Sequence, residues 1–261
     1  MKVETEAGAA WRASLSEWAI PSEILNQAPE PPYIHPPANF GVPEVIEETI
    51  SHARAREALG TSILDIGCGG GIAAMACIPP ATYAIGVDHQ AEMLTMFAAN
   101  ATARGASSSV HEGFWPAIAN EVESADVVTA HHVVYNVQEI EDFLLALDAH
   151  AHRRVVIEMP QAHPQSSSAP AWEHFWGVVR PVDPSPSDLM KVLESLGISA
   201  NCEMWEGHLG RGLNLEQEAE FMRIRLCLPK EREPEVAEFL QNQPRIQNRP
   251  LATIWWDKTS I

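Results

Sequence analysis

The stretch Leu64-Asp65-Ile66-Gly67-Cys68-Gly69-Gly70-Gly71 decides how this 261-residue chain is read. It leaves an apolar β-like run, SILDIG (62–67), and enters a short helical run, IAAMACI (72–78), that stops at Pro79-Pro80. Glycines at the junction let the backbone turn sharply and approach a ligand with no Cβ in the way. Asp88 ends the next β-like run, YAIGVD (83–88). An acid there is placed to accept hydrogen bonds from ribose hydroxyls across the crevice of an open α/β sheet. Turn and acid together indicate an adenosine-containing ligand.

Strand and helix signals alternate for about 100 residues around this turn. Residues 90–103 carry Leu94, Phe97 and Ala101 at helical spacing, SSVHEG (108–113) reads as a third strand and ADVVTAHHVV (125–134) as a fourth. A helix with Ile140, Phe143, Leu144 and Leu147 on one side precedes a fifth strand, RRVVIEM (153–159). Such alternation predicts a parallel sheet covered by helices on both faces. A long loop follows, from Gln161 to Pro181, with Trp172, Phe175 and Trp176 in it. Then come a helix near 185–196, a strand near 199–206, helices near 215–227 and 232–242, and a closing strand, LATIWWD (251–257). Ahead of the alternating region, Trp11, Leu15 and Trp18 recur at helical spacing and PEPPYIHPP runs extended. From Pro43, Ile46, Ile50 and Ala53 line a helix that stops at Gly60. This divides the chain into an N-terminal cap or lid arm, 1–42, and a ligand-binding domain, 43–261.

The spacing of the glycines narrows the ligand. A pyrophosphate-binding fingerprint, G-x-G-x-x-G, fails because Ile72 stands where its third glycine belongs. A P-loop needs Gly-Lys-Ser/Thr, and no Lys occurs between Lys2 and Lys191. What remains resembles the class I S-adenosylmethionine-dependent methyltransferases, whose first motif, LDxGxGxG, matches residues 64–71 at every fixed position. The resemblance covers about 190 residues. It implies an α/β fold: a doubly wound, seven-stranded, mostly parallel Rossmann-like sheet with an antiparallel last strand, here preceded by the helical and Pro-rich cap. It also implies the cofactor S-adenosyl-L-methionine and its product S-adenosyl-L-homocysteine.

By the same resemblance Asp65, Gly67, Cys68, Gly69 and Gly71 form the turn under the methionine and ribose portions. Asp88 takes the ribose hydroxyls, and His89 lies against the adenine. The family's third motif has Gly-Asp after strand three; here Gly113 is followed by Phe114 and Trp115. That departure predicts apolar stacking on the adenine instead of a carboxylate. Strand four delivers His131 and Tyr135 toward the methyl group, because ligands bind beyond the carboxyl ends of the strands. An imidazole at His131 has an ordinary pKa suited to a general base, and His132, one step on, is expected to point the other way. His163, after strand five, is a further candidate for the substrate pocket. The motif N/D-P-P-Y/F of amine- and amide-methylating enzymes is absent.

Composition limits the partners. Seventeen Lys and Arg against 35 Asp and Glu leave a formal charge of −18, which disfavours a phosphate-backbone ligand. No apolar run approaches a bilayer span, and the four cysteines at 68, 77, 202 and 227 form no metal pattern. The expectation is therefore a cytoplasmic enzyme with no metal, acting on a small molecule. An RNA or protein methyltransferase is the alternative and needs a basic groove; a non-catalytic cofactor-binding protein is the third reading.

Overall fold

The computed structural model describes residues 3–32, 52, 56–208, 214–244 and 248–258. Its centre is a seven-stranded sheet of β1 (Ser62–Ile66), β2 (Tyr83–Asp88), β3 (Ser107–Glu112), β4 (Ala125–His131), β5 (Ala151–Pro160), β6 (Asn201–His208) and β7 (Asn248–Asp257). The strand order is β3-β2-β1-β4-β5-β7-β6. The first five strands are parallel, and β7 runs antiparallel to both β5 and β6. The chain thus reverses direction of travel along the sheet between β1 and β4, which opens a crevice at their carboxyl ends.

Successive residues of a strand face opposite sides, and the two faces differ sharply in chemistry. One carries Leu64, Ile66, Val128, Ala130, Val155, Ile157, Ala252, Ile254 and Trp256, all buried. Against it pack α1 (Glu6–Ser16), α5 (Ile140–His150) and α7 (Pro186–Ser195) through Trp11, Phe143, Leu144, Leu147, Leu189 and Val192. The other face is apolar under α3 (Ile72–Ala76) and α4 (Ala91–Ala103), where Ile63, Ala84, Met75 and Phe97 meet. Farther along the sheet it turns polar: Asp65 pairs in register with Thr129, His131 with Glu158, and Glu158 with Thr253. Buried polar groups of this kind need partners, and the partners are part of the site described below.

The N-terminal arm belongs to the core. Trp11 is 1% exposed and donates from Nε1 to the Val137 carbonyl at 2.8 Å. Thr5 caps α1 by accepting from the Gly8 N–H at 2.9 Å, and Glu141 on α5 ties both Thr5 and Arg12 to it. After α2 (Ser22–Leu25) the predicted helix from Pro43 to Gly60 falls mostly outside the described residues, as does Tyr33. The stretch from Gln161 to Pro181, read from sequence as a long loop, is instead a 3₁₀ turn at Pro164–Ser168 followed by α6 (Ala169–Trp176). Pro170 at the start and Gly177 in a left-handed conformation at the end delimit that helix. Finally, α8 (Leu215–Arg225) and α9 (Glu233–Gln241) form an insertion between β6 and β7 that packs on Trp172 of α6 and Ile24 of α2.

Candidate active site at the carboxyl edge of the sheet

The glycine turn lies where β1 ends. Gly67 and Cys68 both donate their N–H groups to the Val87 carbonyl, at 2.8 and 3.0 Å, which folds the turn back toward β2. Gly69 has φ +49°, a left-handed conformation that costs a residue bearing a Cβ. A Cβ placed there would meet nothing within 4 Å, so the space above Gly69 is open to a ligand. Asp88 faces the same space. Its Oδ2 accepts from the Gly69 N–H at 2.9 Å and its Oδ1 from the Gln90 N–H at 3.0 Å. His89 Nδ1 lies 3.4 Å from Oδ1, and Oδ2, with one donor, keeps a lone pair for a ribose hydroxyl.

Beyond Asp88, the imidazole of His89 stacks on Phe114 with ring centroids 4.9 Å apart. Phe114 is 69% exposed, an unusual state for a phenyl ring and one that offers a flat apolar surface beside the turn. Trp115 goes elsewhere. Its ring packs into the main core and meets His150 edge-on at 4.8 Å, so of the two aromatics only Phe114 stays exposed beside His89. Cys68 is buried, and desolvation holds its thiol well above its usual pKa, so it fills space as a thiol.

The polar side of the sheet converges on Glu57, from the segment preceding β1. Glu57 Oε1 accepts from Thr129 Oγ1 at 2.5 Å and lies 2.6 Å from His131 Nε2. The other imidazole nitrogen of His131, Nδ1, is 3.8 Å from Glu158 Oε1. The two carboxylates outweigh burial and raise the His131 pKa to about 10, so at neutral pH it is an imidazolium. Asp65, on the same face, is raised to about 7 by desolvation and by the neighbouring charges of Glu57 and Asp88, although His131 opposes this.

His132 does not point away from its neighbour as expected. The strand ends at His131, and His132 takes φ +58°, outside the alternation of a β-strand. Its Nε2 comes 3.1 Å from the same Glu158 oxygen that faces His131. Burial lowers its pKa, so it is neutral. Sequence reasoning missed Glu57 and Glu158. A charged residue inside the apolar run RRVVIEM was the available signal for Glu158; Glu57 had none short of the fold.

Tyr135 and His163 form a separate group. Trp18 of the N-terminal arm stacks on His163 at 4.0 Å, and Tyr135 meets the same ring edge-on at 5.7 Å. His163 Nδ1 accepts from the Gln165 N–H, and desolvation with Arg180 nearby lowers its pKa to about 4, so it is neutral. Burial raises the Tyr135 phenol to about 12. Beside His163, past the end of β5, lies a cavity of about 830 Å³, walled by the β6–β7 insertion and lined among others by Gln165, Phe221, Met222, Arg225 and Arg249. Of the residues expected near the methyl group, His163 lines the cavity, whereas His131 sits in the carboxylate tract; Trp172 is buried under Arg180.

Residues 63–152, from β1 through the first residues of β5, match the family model described as Methyltransferase domain. Over these residues the chain carries a methyltransferase domain. A search of curated proteins returns no match. Among solved structures, the chain is similar in fold to the YcgJ protein from Bacillus subtilis, with TM-score 0.52 and 16% identity over 81% of this chain and 97% of that one. It is also similar to a SAM-dependent methyltransferase from Archaeoglobus fulgidus, with TM-score 0.50 and 19% identity over 80% and 91% of the two chains. Magnesium protoporphyrin IX methyltransferase from Synechocystis PCC 6803 with bound S-adenosylhomocysteine matches with TM-score 0.51 and 15% identity over 79% and 81%.

The residues of the domain fit S-adenosylmethionine. The open space over Gly69, the spare acceptor position of Asp88 and the exposed Phe114 suit an adenosine. The carboxylates of Glu57 and Glu158, with Asp65 partly protonated beside them, face one imidazolium in the tract beside the turn, polar surroundings that suit the amino-acid end of that cofactor. Among the described residues, no group of three or more His, Cys, Asp or Glu is arranged to hold a metal ion, and no helix is long and apolar enough to cross a membrane.

Proposed function

We propose that this enzyme methylates a small molecule held in the cavity past β5. The observation that carries this reading is the cavity itself. At about 830 Å³ it falls in the range of small-molecule sites, and it opens beyond the carboxyl ends of the strands, beside His163 and Tyr135. Its walls combine apolar side chains, Phe221, Met222, Phe239 and Leu240, with a few polar ones. A partly apolar cleft of this volume suits a compact acceptor better than a folded macromolecule, and the net charge of −18 argues the same way.

The cofactor supplies an activated methyl group, so the protein contributes alignment, exclusion of water and charge. Asp88 holds the ribose, Phe114 and His89 flank the adenine, and the turn from Gly67 to Gly71 passes beneath. His131, already an imidazolium clamped by Glu57, cannot accept a proton as it stands. We assign it the task of fixing the carboxylate tract in place rather than that of a base. His163 is neutral at pH 7, is held through Nδ1 by the Gln165 N–H and by a backbone hydrogen bond to Tyr135, and borders the cavity; we take it to shape the cavity wall rather than to act as a base.

Calorimetry with S-adenosylmethionine and S-adenosylhomocysteine tests the cofactor part. Wild type is expected to bind both, and Asp88→Ala to lose roughly tenfold or more in affinity, as for removal of a charged hydrogen-bond acceptor. For the acceptor, native mass spectrometry of the purified protein is expected to show a co-purifying small molecule that Phe221→Trp, which fills the cavity, displaces. A wild type indifferent to both adenosyl ligands overturns the reading.

A further inference from the structure

Among the described residues, two buried atoms at the carboxyl edge have no hydrogen-bond partner: Glu158 Oε2 and His132 Nδ1. They belong to side chains already joined to each other, His132 Nε2 to Glu158 Oε1 at 3.1 Å. That contact fixes the tautomer of the neutral imidazole: Nε2 carries the hydrogen and Nδ1 is left as an acceptor. Glu158 is ionised, because the imidazolium of His131 and the His132 hydrogen bond outweigh its burial. Both orphan atoms are therefore acceptors, and one bears charge. A buried polar group left unpaired costs on the order of 1–3 kcal/mol, more when charged, so the pair calls for a donor.

The surroundings specify what kind of donor. Glu57 and Asp65 lie on the same face of the sheet, with His131 as the cation between the carboxylates. Arg249 also acts on His132, yet neither cation is hydrogen-bonded to Glu158 Oε2. A carboxylate ligand would be repelled by Glu158. An ammonium donates several hydrogen bonds and places its charge directly against that oxygen.

We propose that Glu158 and His132 form a recognition site for a primary ammonium group. Two sources share that chemistry: the amino-acid end of the cofactor, and an amine on the methyl acceptor. The first rests on the cofactor reading above; the second does not.

The test is calorimetry on wild type, Glu158→Gln and His132→Gly, the last chosen because glycine accepts the left-handed backbone at 132. Three probes are used: S-adenosylhomocysteine; 5′-methylthioadenosine, which keeps the adenosine and lacks the amino-acid end; and benzylamine. Thermal melts show whether each variant is folded. If the site takes the cofactor's ammonium, both variants lose roughly tenfold or more for S-adenosylhomocysteine and keep their affinity for 5′-methylthioadenosine. If it takes the acceptor, benzylamine binds wild type and is lost in both variants, while neither adenosyl probe changes. Folded variants that bind every probe as wild type does overturn the proposal. Should wild type ignore both adenosyl probes, the cofactor reading fails on its own and the benzylamine arm decides this one: loss in the variants upholds it, and no binding to wild type or unchanged binding overturns it.

Discussion

At the scale of single residues, the site is governed by which side chains are charged. His131 is flanked by Glu57 and Glu158, with Asp65 also on its face. Its folded pKa of about 10 exceeds its ordinary 6.5, so its contribution to stability is present below pH 6.5 and is lost as pH rises through about 10. Asp65, held near 7 against an ordinary 3.8, works in the same direction at lower pH. The melting temperature is therefore expected to fall between pH 7 and 10, and to fall less steeply in His131→Gln; differential scanning calorimetry across that range measures both. Glycine turn, Asp65 and Asp88 were all legible in the sequence, because a backbone turn and an acid at a strand end are local features. Glu57 was not: its role depends on a position 74 residues away in the chain.

At the scale of elements, the β3 end shows how two adjacent aromatics divide. Phe114 stays at the surface against His89, whereas Trp115 turns into the core against His150. Phe114→Ala should weaken S-adenosylhomocysteine several-fold by calorimetry with little change in melting temperature, as for loss of an aromatic contact of about 1 kcal/mol. Trp115→Ala should lower the melting temperature and spare binding in the protein that remains folded. Sequence identified the pair but not their division, since the direction of each ring is set by what α5 presents beneath it. The turn at His132 is a similar case. Alternation predicts opposite directions for His131 and His132, and the end of the strand cancels the prediction.

At the scale of the whole molecule, the N-terminal arm is tied into both the core and the site. Trp11 fills the main core, and Trp18 stacks on His163 while Arg180 lies between the rings of Trp18 and Trp172 at 5.1 and 5.0 Å. The Arg180 guanidinium also donates to the carbonyls of Trp18 and Ala19. Trp11→Ala is expected to destabilise by roughly 3–5 kcal/mol, the usual cost of emptying a large core site, measurable by urea denaturation. Arg180→Ala should instead free the arm at Trp18, leaving the fold intact but raising the susceptibility of residues near 18–25 to limited proteolysis. The order of the seven strands along the chain, the glycine turn and the cofactor class were legible in the sequence alone, because periodicity and short motifs act over a few neighbouring residues. The imidazolium state of His131, the unpaired acceptors at Glu158 and His132, and the cavity past β5 were decided only by tertiary structure. Each depends on desolvation and on charges brought together from distant parts of the chain, and burial of a charge is a property of the packed molecule, not of any segment within it.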